Sequence, residues 1–100
     1  MIKLSSIYRK IDEEAKVFEP LYDGYSKNDH GVEFVYLGAT NIRLIKFGAL
    51  LFTRRYEVEI KGYKIEMSNR EAKRLFNYAK KICIEKRQKI KYKEIYEYLK

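Results

Sequence analysis

Between Arg54 and Lys93 the apolar residues change period once, and that change constrains the fold more than any other feature. Along Tyr56, Val58, Ile60 and then Tyr63, Ile65, Met67 they alternate with Glu57, Glu59, Lys61, Lys64 and Glu66, the period of a half-buried strand pair. A two-residue turn at Lys61-Gly62 would pair Ile60 with Tyr63, Val58 with Ile65 and Tyr56 with Met67 on one face. At Ser68 the spacing turns helical. Ser68-Asn69-Arg70-Glu71 has the form of a capping box, and Ala72, Leu75, Phe76, Ala79, Ile82 and Cys83 make one apolar stripe. A helix from about Asn69 to Arg87 is expected, fraying near Gln88, with Tyr92, Ile95, Tyr96 and Leu99 in a short final helix.

Upstream, Leu4, Ile7, Ile11, Ala15 and Phe18 recur at helical spacing, with Arg9, Lys10, Asp12, Glu13 and Glu14 assigned to the other side. Ser5 or Ser6 would cap this helix, and Glu19-Pro20 would end it. Tyr22 to Gly31 reads as loop. Val32 to Leu37 reads as a strand, Gly38 to Asn41 as its turn, and Ile42 to Thr53 as a central strand covered on both faces, with a helix over Ile42–Phe52 as the alternative that its Ile and Phe content disfavours. Gly48 would mark a bulge or a site where a helix packs closely. The expected fold is α+β: a single domain over residues 1–100, a two-layer sandwich with a four-stranded antiparallel sheet and helices on one face, in the order α-β-β-β-β-α-α.

Charge separates the two halves. Residues 1–50 carry seven Lys+Arg and seven Asp+Glu, whereas residues 51–100 carry fifteen against seven. The whole net charge of +8 therefore lies in the second half, and residues 68–93 alone reach that excess. Such an excess concentrates anionic partners at one face. A lone cysteine, Cys83, allows no intrachain disulfide and suits a reducing compartment. Met1-Ile2-Lys3-Leu4-Ser5 does not open a signal peptide, and Ile42–Phe52 is too short to span a bilayer. A cytoplasmic protein is expected, with no membrane partner. Heavy use of Lys, Ile and Tyr with a single Gln suits an AT-rich genome, including those of small viruses.

These charges lead to a non-enzymatic nucleic-acid-binding protein with no cofactor or metal. Arg70, Lys73, Arg74, Lys80, Lys81, Lys86, Arg87 and Lys89 would contact phosphates, helped by Arg54 and Arg55, largely without sequence preference. Arg70, Lys73 and Arg74 crowd a helix start whose dipole favours anions, which a bound phosphate would answer. Tyr92, Tyr96 and Tyr98 beside Lys89, Lys91 and Lys93 suit base stacking. Over six residues, Ser68-Asn69-Arg70-Glu71-Ala72-Lys73 is similar to the start of the second helix of double-stranded-RNA-binding domains, where lysines straddle phosphates. Asn69 stands where that pattern has a lysine, and Asn28-Asp29-His30 lacks the proline of the family's loop.

The alternative is a viral or phage-type accessory protein that inhibits or adapts a host protein through its tyrosines and basic surface. The partner would then be an acidic protein surface. Homodimerisation through an open edge strand is a further expectation. Catalysis has weaker support. Glu57-Val58-Glu59-Ile60-Lys61 carries the acid-x-Lys step that metal-dependent nucleases use, but that pattern is common on outward strand faces. His30 has no paired nucleophile.

Overall fold

A computed structural model describes residues 3–48 and 55–99, without the side chains of Tyr92, Tyr96, Tyr98 and Leu99. Its elements are α1 (Leu4–Lys16), β1 (Asp23–Lys27), β2 (Glu33–Leu37), β3 (Ile42–Phe47), β4 (Arg55–Ile60), β5 (Tyr63–Lys64) and α2 (Asn69–Leu99). The five strands form one antiparallel sheet in the order β1-β2-β3-β4-β5. The class and the segregation of helices from strands match expectation. The strand count does not: among the described residues there are five, and the order is α-β-β-β-β-β-α.

The extra strand is β1, in the segment expected to be loop. Asp23-Gly24-Tyr25-Ser26-Lys27 has no apolar alternation and poor intrinsic strand preference. It is a strand because β2 pairs with it residue by residue, from Asp23 opposite Leu37 to Lys27 opposite Glu33. The Asn28 side chain closes the connection, its Oδ1 accepting from the amides of His30 (2.9 Å) and Val32 (3.0 Å).

Alternation decides what the sheet's inner face holds. Val35 and Leu37, Ile42 and Leu44, and Val58 and Ile60 are buried there with Tyr56, under Ile7 and Ile11 of α1 and Ala72, Leu75, Phe76, Ala79 and Cys83 of α2. The α2 stripe is thus the expected one, with Ile82 half-buried beside it. The outer face carries Phe34, Tyr36, Arg43, Glu57 and Glu59. Ile45 on that face is buried, but Tyr36 and Arg43 beside it are exposed, so the expected cover on both faces of this strand is not found among the described residues. Gly48 lies against a loop backbone and not the expected helix, because a Cβ there would meet the Gly31 carbonyl oxygen at 3.1 Å.

The β4–β5 hairpin has the expected register at its turn, with Ile60 opposite Tyr63 and Glu59 opposite Lys64. Lys61 (φ 53) and Gly62 (φ 83) both take positive φ, as a type I′ turn requires. Pairing then ends early. The Ile65 amide still donates to the Val58 carbonyl at 2.8 Å, but the Tyr56 amide bonds Asn69 Oδ1 at 3.0 Å, so Met67 does not complete the ladder. Tyr63, expected on the buried face, is exposed.

Both helix starts correct or confirm a cap. Ser68 Oγ accepts from the Glu71 amide at 3.1 Å, the forward half of the capping box. Neither Ser5 nor Ser6 caps α1; both lie inside it and Lys3 precedes it with no side-chain cap. A second correction concerns Glu14, assigned to the polar side but 1% exposed. It follows Ile7 and Ile11 at i+7 and i+3, which places it on the buried face.

The largest departure is the length of α2. Instead of fraying near Gln88 and restarting, it runs for 31 residues. No Gly or Pro follows Gly62, and the Lys, Arg, Gln and Glu residues there are good helix formers. Extending a helix already nucleated on the sheet avoids the nucleation cost. At about 1.5 Å per residue it spans ~46 Å, which accounts for the 49 Å longest dimension. Burial on it ends near Cys83, and from Lys91 on each described side chain is exposed.

Candidate nucleic-acid interface

At about 100° per residue, the eight expected phosphate contacts fall on three lines of α2 rather than one face. Arg70, Arg74 and Lys81 share the line directed away from the sheet, and all three are exposed. Lys73, Lys80 and Arg87, at steps of seven, lie along one flank, where Lys80 and Arg87 reach β1. Lys86 and Lys89 continue the line of Tyr78 and Ile82 on the flank toward α1. Tyr78 fixes that flank: its hydroxyl bonds Asp12, and its ring meets Tyr8 edge-on at 5.1 Å.

Lys80 differs from the rest. Its ammonium donates to Glu33 Oε1 at 2.7 Å and sits 4.6 Å from the centre of the Tyr25 ring. Glu33 is 6% exposed. It also takes a salt bridge from Lys46 at 3.0 Å and a hydrogen bond from the Tyr25 hydroxyl. Burial alone would raise the Glu33 carboxyl, but bonds from Lys80, Tyr25 and Lys46 outweigh it and bring the group down to about 2. Lys80 is correspondingly raised, chiefly by Glu33. Its charge is spent inside the protein, on a carboxylate whose place beside Val35 and Leu37 was visible in the strand alternation.

The other α2 cations are free. Among the described residues, Arg70, Lys73, Arg74, Lys81, Lys86, Arg87, Lys89, Lys91 and Lys93 have no carboxylate oxygen within 4.0 Å. On the sheet, Arg43, Lys46, Arg55 and Lys64 each have one, and Lys27 at the end of β1 has none among the described residues. Arg55 is therefore engaged by Glu57, and Arg54 lies outside the described residues. Lys91 and Lys93, which a separate final helix would have set apart, extend the same helix. Between Lys86 and Lys93 they complete five cations with no acidic residue among them.

Beside the second line, Tyr25, Cys83, Ile84, Arg87, Gln88 and Lys91 enclose a cleft of about 250 Å³. Arg87 reaches over β1, its Nη1 3.9 Å from where a Cβ on Gly24 would stand. Cys83 at its base is 2% exposed, and burial, then the charges of Asp23 and Glu14, push its thiol up to about 12.

The acid-x-Lys step lies on outward β4. Lys64 lowers the Glu57 carboxyl most, with Arg55 adding to it. Glu59 faces Arg43 at 3.9 Å. Among the described residues no three of His, Cys, Asp and Glu converge to hold a metal ion, and no helix is long and apolar enough to cross a membrane. His30 is exposed in the β1–β2 connection.

No family model, curated protein or solved structure matches this chain.

Proposed function

We propose that the protein binds nucleic acid through α2, by phosphate contacts that are largely independent of sequence and involve no catalysis. The observation that carries this reading is the set of free cations on α2, beside a sheet whose Arg43, Lys46, Arg55 and Lys64 are paired. The line Arg70, Arg74, Lys81 and the projecting run Lys86, Arg87, Lys89, Lys91, Lys93 make the contacts. Lys80 makes none, because moving it would take from a buried carboxylate one of its two cations.

The test is fluorescence anisotropy with single- and double-stranded DNA and RNA across a salt series. Each phosphate neutralised on B-DNA contributes about −0.9 to the slope of log K against log salt. Replacing Arg70, Arg74 and Lys81 together with Ala is expected to weaken binding on every duplex alike and to flatten that slope by roughly 2 to 3. Affinity weaker than about 10⁻⁴ M for every probe at moderate salt refutes the proposal, as does a slope unchanged by the triple substitution.

A further inference from the structure

Although the chain is strongly basic, one pocket in it is acidic. Glu14, Val17, Glu19, Tyr22, Asp23, Tyr36, Gly38 and Ala39 enclose about 300 Å³ where the end of α1, the start of β1 and the β2–β3 turn meet. Three carboxylates line it and no Lys or Arg does. Its rim is apolar and open: Val17, Tyr22 and Tyr36 are all exposed, and Leu21, next to Tyr22, is 83% exposed.

The floor is only partly satisfied. Asp23 uses both oxygens, Oδ1 accepting from the Gly38 amide (2.7 Å) and Oδ2 from the Glu19 amide (2.9 Å). Glu14 Oε1 accepts from the Ala39 amide at 2.8 Å. Glu14 Oε2 is buried with no hydrogen-bond partner. Buried polar atoms are almost always partnered, so this oxygen asks for a donor.

We propose that the pocket receives an arginine side chain of a partner polypeptide, its guanidinium answering the Glu14–Asp23 carboxyl pair and its stem packing against Val17, Tyr22 and Tyr36. Charge selects the occupant. Phosphates are repelled by three carboxylates, and the described residues hold no cluster fit for a metal ion. A guanidinium offers five donors in a planar fork, is weakly hydrated, and stacks on aromatic rings, which Tyr22 and Tyr36 supply at the rim. Exposed tyrosines around a polar centre are also how polypeptide partners are commonly anchored.

Protonation state sets the pH dependence of that binding. Burial raises the Glu14 carboxyl first, and the adjacent Asp23 raises it further, while the Ala39 amide and Thr40 act the other way. The remaining charged or titratable neighbours are Glu19, Tyr22 and Tyr36 around the pocket and Cys83 on α2, whose thiol feels both carboxylates. A cation entering the pocket favours the ionised pair, so binding weakens as pH falls through the Glu14 titration.

The experiment titrates acetyl-arginine amide into the ¹⁵N-labelled full chain, with acetyl-citrulline amide as its uncharged isostere. Saturable shifts at the Gly38, Ala39 and Glu19 amides are expected with the arginine probe, at about tenfold or more higher affinity than with citrulline. Tyr36→Ala, at an exposed rim position, should weaken the arginine response without unfolding the chain, and lowering the pH should do the same. Equal responses to the two probes, or no saturable response at those amides, would show that the carboxylates only staple α1 to the turn, and overturn the proposal. Neither outcome depends on whether α2 binds nucleic acid.

Discussion

Replacing Glu33 with glutamine tests whether the sheet's inner face gains stability from a buried charge. The gap between an ordinary carboxyl of 4.5 and about 2 in the folded protein corresponds to about 3 kcal/mol of stability. Because the folded-state value is the lower one, that stability is present above the unfolded value and lost as pH falls from about 5 toward 2. Glu33→Gln has no such titration. Urea unfolding of both proteins from pH 7 to pH 2 should therefore show the wild-type advantage shrinking by about 3 kcal/mol toward the acid end. The other carboxyls, Glu57 on the opposite face included, titrate alike in both proteins and cancel in the difference. Lys80→Met should move the acid limb to higher pH without abolishing it, since Lys46 remains at 3.0 Å along with the Tyr25 hydroxyl. A difference between wild type and Glu33→Gln that stays constant across that range would refute the reasoning.

Two further substitutions probe α2. Ser68→Ala removes the acceptor for the Glu71 amide and should cost about 1 kcal/mol in urea unfolding at neutral pH, with Ser68→Asp retaining most of it. Leu75→Ala empties a site that is 0% exposed and should cost about 3–5 kcal/mol, near the whole stability of a small domain. Loss of the cooperative thermal transition is the readout, and Ile82→Ala, at a half-buried site, should lose less.

The parts of this fold that could be read from sequence are those fixed within a few residues. The I′ turn at Lys61-Gly62, the Ser68 cap and the Ala72–Cys83 stripe each depend on neighbours one to eleven positions apart. β1 could not be read that way, because its backbone conformation is imposed by β2 and its own residues argue for a turn. Glu14 and Glu33 are a different case. Both sit in phase with buried apolar neighbours, and only their charge argued for the surface. The tertiary structure supplies what the sequence does not show: Lys80, Lys46 and Tyr25 for Glu33, and the Ala39 amide for Glu14. Lys80 reads from sequence as a phosphate contact because nothing in its helical position reveals the Glu33 carboxylate that it meets on β2.

The distal half of α2 joins folding to the proposed binding. Lys89 and Lys93, and Arg87 and Lys91, stand four residues apart, and like charges at that spacing cost a helix about 0.2–0.5 kcal/mol each. Arg70, Lys73 and Arg74 add cations to a helix start whose dipole disfavours them, against Glu71 as the acidic residue of the first turn. Helix propensity and the sheet-bound nucleus oppose these repulsions, and Glu85, Glu94 and Glu97, three or four residues from Lys89, Lys91 and Lys93, offset part of them. A polyanion laid along α2 would relieve both sets at once. Nucleic-acid binding should then raise amide protection beyond Lys86, where the protein's own packing has already ended, while leaving the turns over Leu75 and Phe76 as protected as before. The basic arm is thus held helical by the domain behind it, and under the proposed function a polyanion neutralises its charge.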